Sequence, residues 1–230
     1  SSDVCSSDLA CELVRQAQLA GADVAKFQFG WRGKPGEINH FERDQWFALK
    51  RSCDEVGIEM MASLFTEDAL ELADELQLTT FKIASRTVID DPALCKRIVS
   101  RGRPTYVSLG MWTGDGFPFG PPDGRLRYVF CRSKYPTSPS DLVSMPARFE
   151  DAAFSGYSDH SLGIDMCLTA VARGARYVEK HFTLNKASQV IRDHALSATP
   201  GEFRTLVDVG RPMSRFAKLA AVPAPGGATR

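Results

Sequence analysis

The 230-residue chain predicts an α/β fold, a (β/α)8 TIM-type barrel of parallel strands, and three observations predict it. From residue 10 onward, short apolar runs alternate with amphipathic stretches, which is the signature of repeated βα units. Gly156-Tyr157-Ser158-Asp159-His160 and Val178-Glu179-Lys180-His181-Phe182 flank an amphipathic stretch that closes at Gly174, so this part reads strand, helix, strand. The polar residues of the apolar runs gather toward the runs' C-terminal ends, where barrels of this type carry function.

Taken in order, helices are expected at 10–20, 43–56, 66–76, 92–100, 164–173 and 200–216, with a short one near 141–149. Strands are expected at 23–29, 59–63, 80–84, 104–108, 126–131, 153–157 and 177–182. Closure of an eight-stranded barrel needs one strand more, ahead of the 10–20 helix. Residues 1–9 are serine-rich, with no alternation and no β-branched run, so they are left unassigned and read as a candidate for foreign sequence. The glycines and prolines of 113–124 exclude a helix of normal length and predict an irregular crossover. The barrel domain is therefore expected over 10–219, and 220–230, with Pro223, Pro225, Gly226 and Gly227, reads as a linker-like tail.

Composition narrows the function. A formal net charge of zero favours neither nucleic acid nor an acidic membrane surface as partner. No stretch approaches the roughly 18 apolar residues of a membrane span, and no basic leader precedes an apolar segment, so a cytoplasmic protein is expected. The six cysteines show no paired spacing; most read as small core residues.

The parallel strands of a βαβ unit bring His160 and His181 to the same sheet edge, where two imidazoles can bind a metal. Alternation puts Ser158 with His160 on one face and Glu179 with His181 likewise, while Asp159 and Lys180 point the other way. Either histidine alone could be a satisfied core residue; the pair, with carboxylates nearby, points to a divalent ion. Lys26 and Lys82 each sit inside an apolar strand with no evident counter-charge, so each must face a polar lumen or a ligand. Gln28, Ser63, Ser85, Ser108, Ser133, Tyr135 and Ser158 complete the set at the strand ends. Two lysines and several hydroxyls suit a phosphate plus a carboxylate. His40 lies in a Gly/Pro-containing loop and reads as surface.

Ala22 through Gln28, Phe81-Lys82-Ile83-Ala84-Ser85, Gly102-Arg103-Pro104 through Ser108-Leu109-Gly110-Met111, Tyr135-Pro136, Gly156 through His160 and Glu179 through Leu184 stand in an order and spacing that resembles the N-acetylneuraminate (sialic acid) synthase family from about residue 10 to 216. The resemblance implies a barrel enzyme that condenses phosphoenolpyruvate with an N-acetylmannosamine-like aldehyde to give a nonulosonic acid and phosphate. It implies Mn2+ or Mg2+ held by His160 and His181 as a Lewis acid. It places phosphoenolpyruvate on Lys26, Ser63, Lys82, Ser85, Ser108, Ser133 and Ser158, the sugar on Gln28, Tyr135, Glu179 and Asp193, and catalysis on Glu179 and Lys82. It also implies a small domain after the barrel that caps the site of a partner subunit, hence a homodimer for the full-length form.

The chain departs from the family pattern at several places. Nothing before Ala10 aligns with the family's first strand, Ser63-Leu64 stands where a threonine and proline are usual, Arg192 replaces a proline, and the capping domain has no counterpart. Three alternatives stay open: a metal-dependent aldolase, another phosphoenolpyruvate-condensing synthase on the same barrel, or an inactive fragment. Release of phosphate separates the synthases from an aldolase acting on pyruvate.

Overall fold

A computed structural model describes residues 6–37, 40–187 and 193–220. Residues 1–5 of the unassigned start, Arg192, and residues 221–230 of the tail lie outside the described residues. Seven strands form one parallel sheet in sequence order: β1 (Val24–Phe29), β2 (Glu59–Leu64), β3 (Phe81–Ile83), β4 (Thr105–Ser108), β5 (Leu126–Cys131), β6 (Phe154–Asp159) and β7 (Tyr177–Lys180). The helices are α1 (Ser6–Leu19), α2 (Arg43–Val56), α3 (Glu67–Glu75), α4 (Ser85–Asp90), α5 (Pro92–Ser100), α6 (Asp165–Ala172), α7 (Asp193–Leu196) and α8 (Pro200–Ala220). Residues 6–9, unassigned from sequence, are the first turn of α1.

Local chemistry explains the elements. α2 starts in a reciprocal capping box between Glu42 and Gln45 and stops at Gly57, whose φ of 75° suits a residue without Cβ. Its spacing of Trp46, Leu49 and Cys53 places all three against the sheet, and each such buried side chain contributes about 2 kcal/mol. Trp46 receives Phe29 at 4.4 Å and Phe27 at 6.1 Å between ring centroids, so the outward residues of β1 make the core while Lys26 and Gln28 face the lumen. Cys53, Cys95, Cys131 and Cys167 are buried free thiols; burial pushes Cys53 and Cys95 up to about 12, as inert core residues require.

One expected element differs, two short helices are added, and the irregular crossover expected over 113–124 is what the structure shows. Proline at 139 starts a single 3-10 turn over Pro139–Leu142, capped by Ser138 and Asp141, and Pro146 stops a helix from continuing to 149. α4 and α7 are additional short helices, six and four residues long, below the length that periodicity detects. No helix joins β4 to β5 among the described residues. Instead Phe117 stacks on Tyr128 at 4.2 Å, Tyr128 donates to the Gly120 carbonyl at 2.9 Å, and Asp123 accepts from the amides of Arg125 and Leu126.

β1 and β7 are the two edges of the sheet among the described residues and do not pair with each other. α8 spans this seam from outside, packed on α6 and α1. Arg211 donates to the Gly21 carbonyl and to Asp23, both at 2.8 Å, and Arg204 bonds the Leu19 carbonyl. Behind α8 lies a cavity of about 1250 Å3 that reaches from Val14 and Val207 to Lys26, Glu179 and His181. At the foot of β6, Gly156 pairs in register with Tyr177, and a Cβ there would stand 1.8 Å from the Tyr177 carbonyl oxygen. Among the described residues, no helix is long and apolar enough to cross a membrane.

Candidate active site

The lumen is built in layers by the inward residues of each strand. Its floor is a pillar of polar aromatics: Arg127 donates to the Tyr106 hydroxyl at 2.6 Å, Tyr106 stacks on Tyr177 at 4.2 Å, and Tyr177 donates to Glu179 Oε2 at 2.6 Å. Sequence reading passed over all three. Arg127 carried the same signal as the lysines, a charge inside an apolar strand, and Tyr177 shares the parity of Glu179.

Above the floor, Glu179 joins the two lysines. Its carboxylate lies 3.6 Å from Lys26 Nζ and 3.2 Å from Lys82 Nζ, and it accepts from Ser158 Oγ at 3.0 Å. The lysines therefore have a counter-charge in the protein itself, which the sequence did not reveal because Glu179 is far from both along the chain. Burial alone would raise the Glu179 carboxyl, but the Lys26 and Lys82 cations, with hydrogen bonds from Tyr177 and Ser158, hold it well below the usual carboxylate range. Burial lowers Lys26, and Glu179 offsets part of that.

Lys82 also donates to Ser108 Oγ at 2.8 Å, and Ser85 Oγ accepts from the Gly110 amide at 2.8 Å. A Cβ on Gly110 would stand 2.7 Å from Ser133 Oγ and 3.0 Å from Cys131 Sγ, so glycine permits this close approach of loops. Ser63 is buried and in register with Gln28 on one side and Lys82 on the other. Thus Lys26, Ser63, Lys82, Ser85, Ser108, Ser133 and Ser158 surround one lumen, with Cys131 among them, a residue that sequence reading assigned only to the core.

At the mouth, His160 and His181 lie with ring centroids 5.4 Å apart, and Tyr135 packs on His160 at 4.2 Å. His160 Nδ1 bonds the Arg132 carbonyl at 2.9 Å. A carbonyl can only accept, so Nδ1 carries the proton and Nε2 presents its lone pair. Burial lowers His160, and burial with the charges of His160 and Lys26 lowers His181 to about 4, so both are neutral near pH 7. Gln28 and Asp193 line the same cavity as His181 and Glu179. Lys180 and Asp159 point away behind the sheet, as alternation predicts. His40 stands apart, bonded to the Gly33 carbonyl and Glu42.

The NeuB family model matches residues 37–218. The chain is 32% identical over 233 aligned positions to the N-acetylneuraminate-9-phosphate synthase of Homo sapiens, covering 87% of this chain and 64% of that protein. It is 29% identical over 236 positions to the N,N'-diacetyllegionaminic acid synthase of Legionella pneumophila, covering 86% and 66%. Its fold matches the crystal structure of an N-acetylneuraminic acid synthetase from Leptospira borgpetersenii in complex with citrate, with a TM-score of 0.83 and 26% identity over 96% of this chain and 83% of that one. The chain spans just under two thirds of the length of these curated relatives. With the family match covering most of the barrel and every strand from β2 to β7, the chain belongs to the NeuB family.

Proposed function

We propose that this chain is the barrel of a nonulosonic acid synthase, condensing phosphoenolpyruvate with an N-acetylmannosamine-like amino-sugar aldehyde and releasing phosphate. The observation that carries this reading is Glu179 held between Lys26 and Lys82 in a serine-lined lumen, directly below two neutral imidazoles. Two ammonium groups and the hydroxyls of Ser63, Ser85, Ser108, Ser133 and Ser158 suit an anion with a phosphate and a carboxylate. The arriving anion would take over part of the charge pairing that Glu179 now supplies.

Glu179, ionised and acceptor-only at neutral pH, is suited to orient a hydroxyl, and once the bound anion draws the lysine charges away it would regain the basicity to take a proton from the water that adds to the phosphate-bearing carbon before phosphate leaves. It is not suited to act as an acid. Lys82 would stabilise the charge that develops on the transferred groups. Gln28, Tyr135 and Asp193, around the mouth, would orient the sugar.

The donor set fits a divalent ion in part. His160 and His181 offer two neutral nitrogens, as metal binding requires. Among the described residues, no group of three or more His, Cys, Asp or Glu side chains could hold an ion, so water and acceptor oxygens would have to join the two imidazoles. When bound, Mn2+ or Mg2+ would supply Lewis acidity toward the aldehyde oxygen.

The test is incubation of the chain with Mn2+, phosphoenolpyruvate and N-acetylmannosamine or its 6-phosphate, following phosphate release and the 2-keto acid product. Phosphate release that depends on the sugar is expected. Carbon–carbon bond formation from pyruvate without phosphate release would point to an aldolase instead, and binding of both substrates without turnover to an inactive barrel.

A further inference from the structure

The residues next to the two histidines form a second polar centre on the opposite face of the sheet. Lys180 and Asp159, both with fully buried side chains, pair at 2.7 Å behind β6 and β7. The Lys180 ammonium also donates to the Ser161 carbonyl at 2.5 Å. The Asp159 carboxylate accepts from the Tyr157 hydroxyl at 2.7 Å, the Ser161 amide at 2.8 Å and the Cys167 thiol at 3.2 Å. One network therefore ties β6, the turn after it, the tip of β7 and α6 together.

Stability is a poor reason for such a centre, because burying two charges costs about what their attraction returns, and apolar replacements are often neutral or better. Geometry is a better one. Asp159 immediately precedes His160, Lys180 immediately precedes His181, and Ser161 immediately follows His160. A bond from Lys180 to the Asp159 carboxylate and a second to the Ser161 backbone carbonyl hold the residues on both sides of His160, while the root of the grip is the residue before His181. Neither strand end can twist or slide without breaking a buried charged hydrogen bond. Tyr157 and Cys167 hold the carboxylate from two further directions, so it cannot swing to relieve a displacement.

We propose that the Lys180–Asp159 pair is a positioning device that fixes the separation and facing of the His160 and His181 imidazoles at the mouth. For its consequence in metal binding this inference rests on the function proposed above; for the placement of the rings it does not. Lys180 and Asp159 are fully buried on the face of the sheet away from the lumen, so they are positioning residues that act through their neighbours.

The test compares the wild-type chain with Lys180→Met and with the charge-neutral double variant Asp159→Asn/Lys180→Met. Folding is followed by thermal melting, Mn2+ and phosphoenolpyruvate affinity by calorimetry, and the His160 Nδ1 proton by NMR of the metal-free protein. At least one variant should melt cooperatively. It should bind Mn2+ at least tenfold more weakly, the scale typical when a partner behind a metal ligand is lost, and phosphoenolpyruvate within threefold of wild type. Its His160 Nδ1 proton, held by the Arg132 carbonyl in the wild type, should exchange away. An unchanged proton signal and unchanged Mn2+ affinity would overturn the proposal. So would a parallel loss of Mn2+ and phosphoenolpyruvate binding, or failure of both variants to fold, since each describes a merely structural pair. If the wild type binds no Mn2+ while Lys180→Met still releases the His160 proton, the metal reading fails and the positioning role stands.

Discussion

Glu179→Gln tests the heart of the lumen, because the change keeps shape and hydrogen-bonding size but removes the charge that faces both lysines. The carboxylate is 3.2 Å from Lys82 and 3.6 Å from Lys26. At an effective dielectric constant of about 20, each attraction is worth roughly 5 kcal/mol before desolvation is charged against it. Removing one partner of a buried pair typically costs about 3–5 kcal/mol. Lys26 keeps a fifth of its side chain exposed, so the lower end, about 3 kcal/mol, is the expected loss. Urea unfolding at pH 7.5 and low salt, followed by far-ultraviolet circular dichroism, measures it. Two uncompensated ammonium groups should also make a stronger anion site, so inorganic phosphate should stabilise Glu179→Gln by about 2.7 kcal/mol at a hundred times its dissociation constant, and wild type by less at the same concentration. The pH dependence has a definite sign. A carboxyl held below its ordinary range stabilises the fold above the unfolded carboxylate pKa and loses that contribution as pH falls through its own folded value, so the two stability curves should converge in acid. A loss under about 1 kcal/mol with no extra response to phosphate would refute the reasoning.

Lys82→Met and Lys26→Met should each weaken phosphoenolpyruvate binding by tenfold or more in calorimetry, with Lys82→Met the larger effect because its ammonium is almost wholly buried and also bonded to Ser108. His160→Ala or His181→Ala should abolish specific Mn2+ binding without unfolding the chain. Because burial lowers both imidazoles and takes His181 to about 4, Mn2+ affinity in the wild type should begin to fall only below the ordinary histidine range near 6.5 rather than within it. Gly156→Ala should cost about 2 kcal/mol or more in a urea titration, since the added methyl meets the Tyr177 carbonyl at 1.8 Å and the strands must part to admit it.

Periodicity and punctuation made the barrel legible wherever an element was long and capped. α2 and α5 were expected within the residues they occupy, and the seven strands fall where their apolar runs lie. Short helices such as α4 escaped because six residues carry less than two turns of pattern. The lysines were legible as misplaced charges, yet their relation to Glu179 was not. That contact joins β1 and β3 to β7 across the lumen and depends on curvature rather than on local pattern. The same applies to the Arg127–Tyr106–Tyr177 pillar, whose members are separated in sequence but stacked in space. The lowered pKa of His181 was invisible for a different reason, since depth and neighbouring cations exist only after folding.

The seam between β1 and β7 divides the lumen-facing groups between two lips. Lys26 and Gln28 stand on one, and Glu179 and His181 on the other, with no ladder of backbone hydrogen bonds between them in the described structure. The lips are joined instead by the Lys26–Glu179 ion pair at 3.6 Å within the lumen and, from outside, by α8 resting on α6 while Arg211 and Arg204 fasten it to the chain just before β1. A helix outside the sheet, whose Phe203, Leu206 and Val207 line the same cavity as Lys26 and Glu179, thereby stands in for the missing strand pair as the outer wall of the lumen.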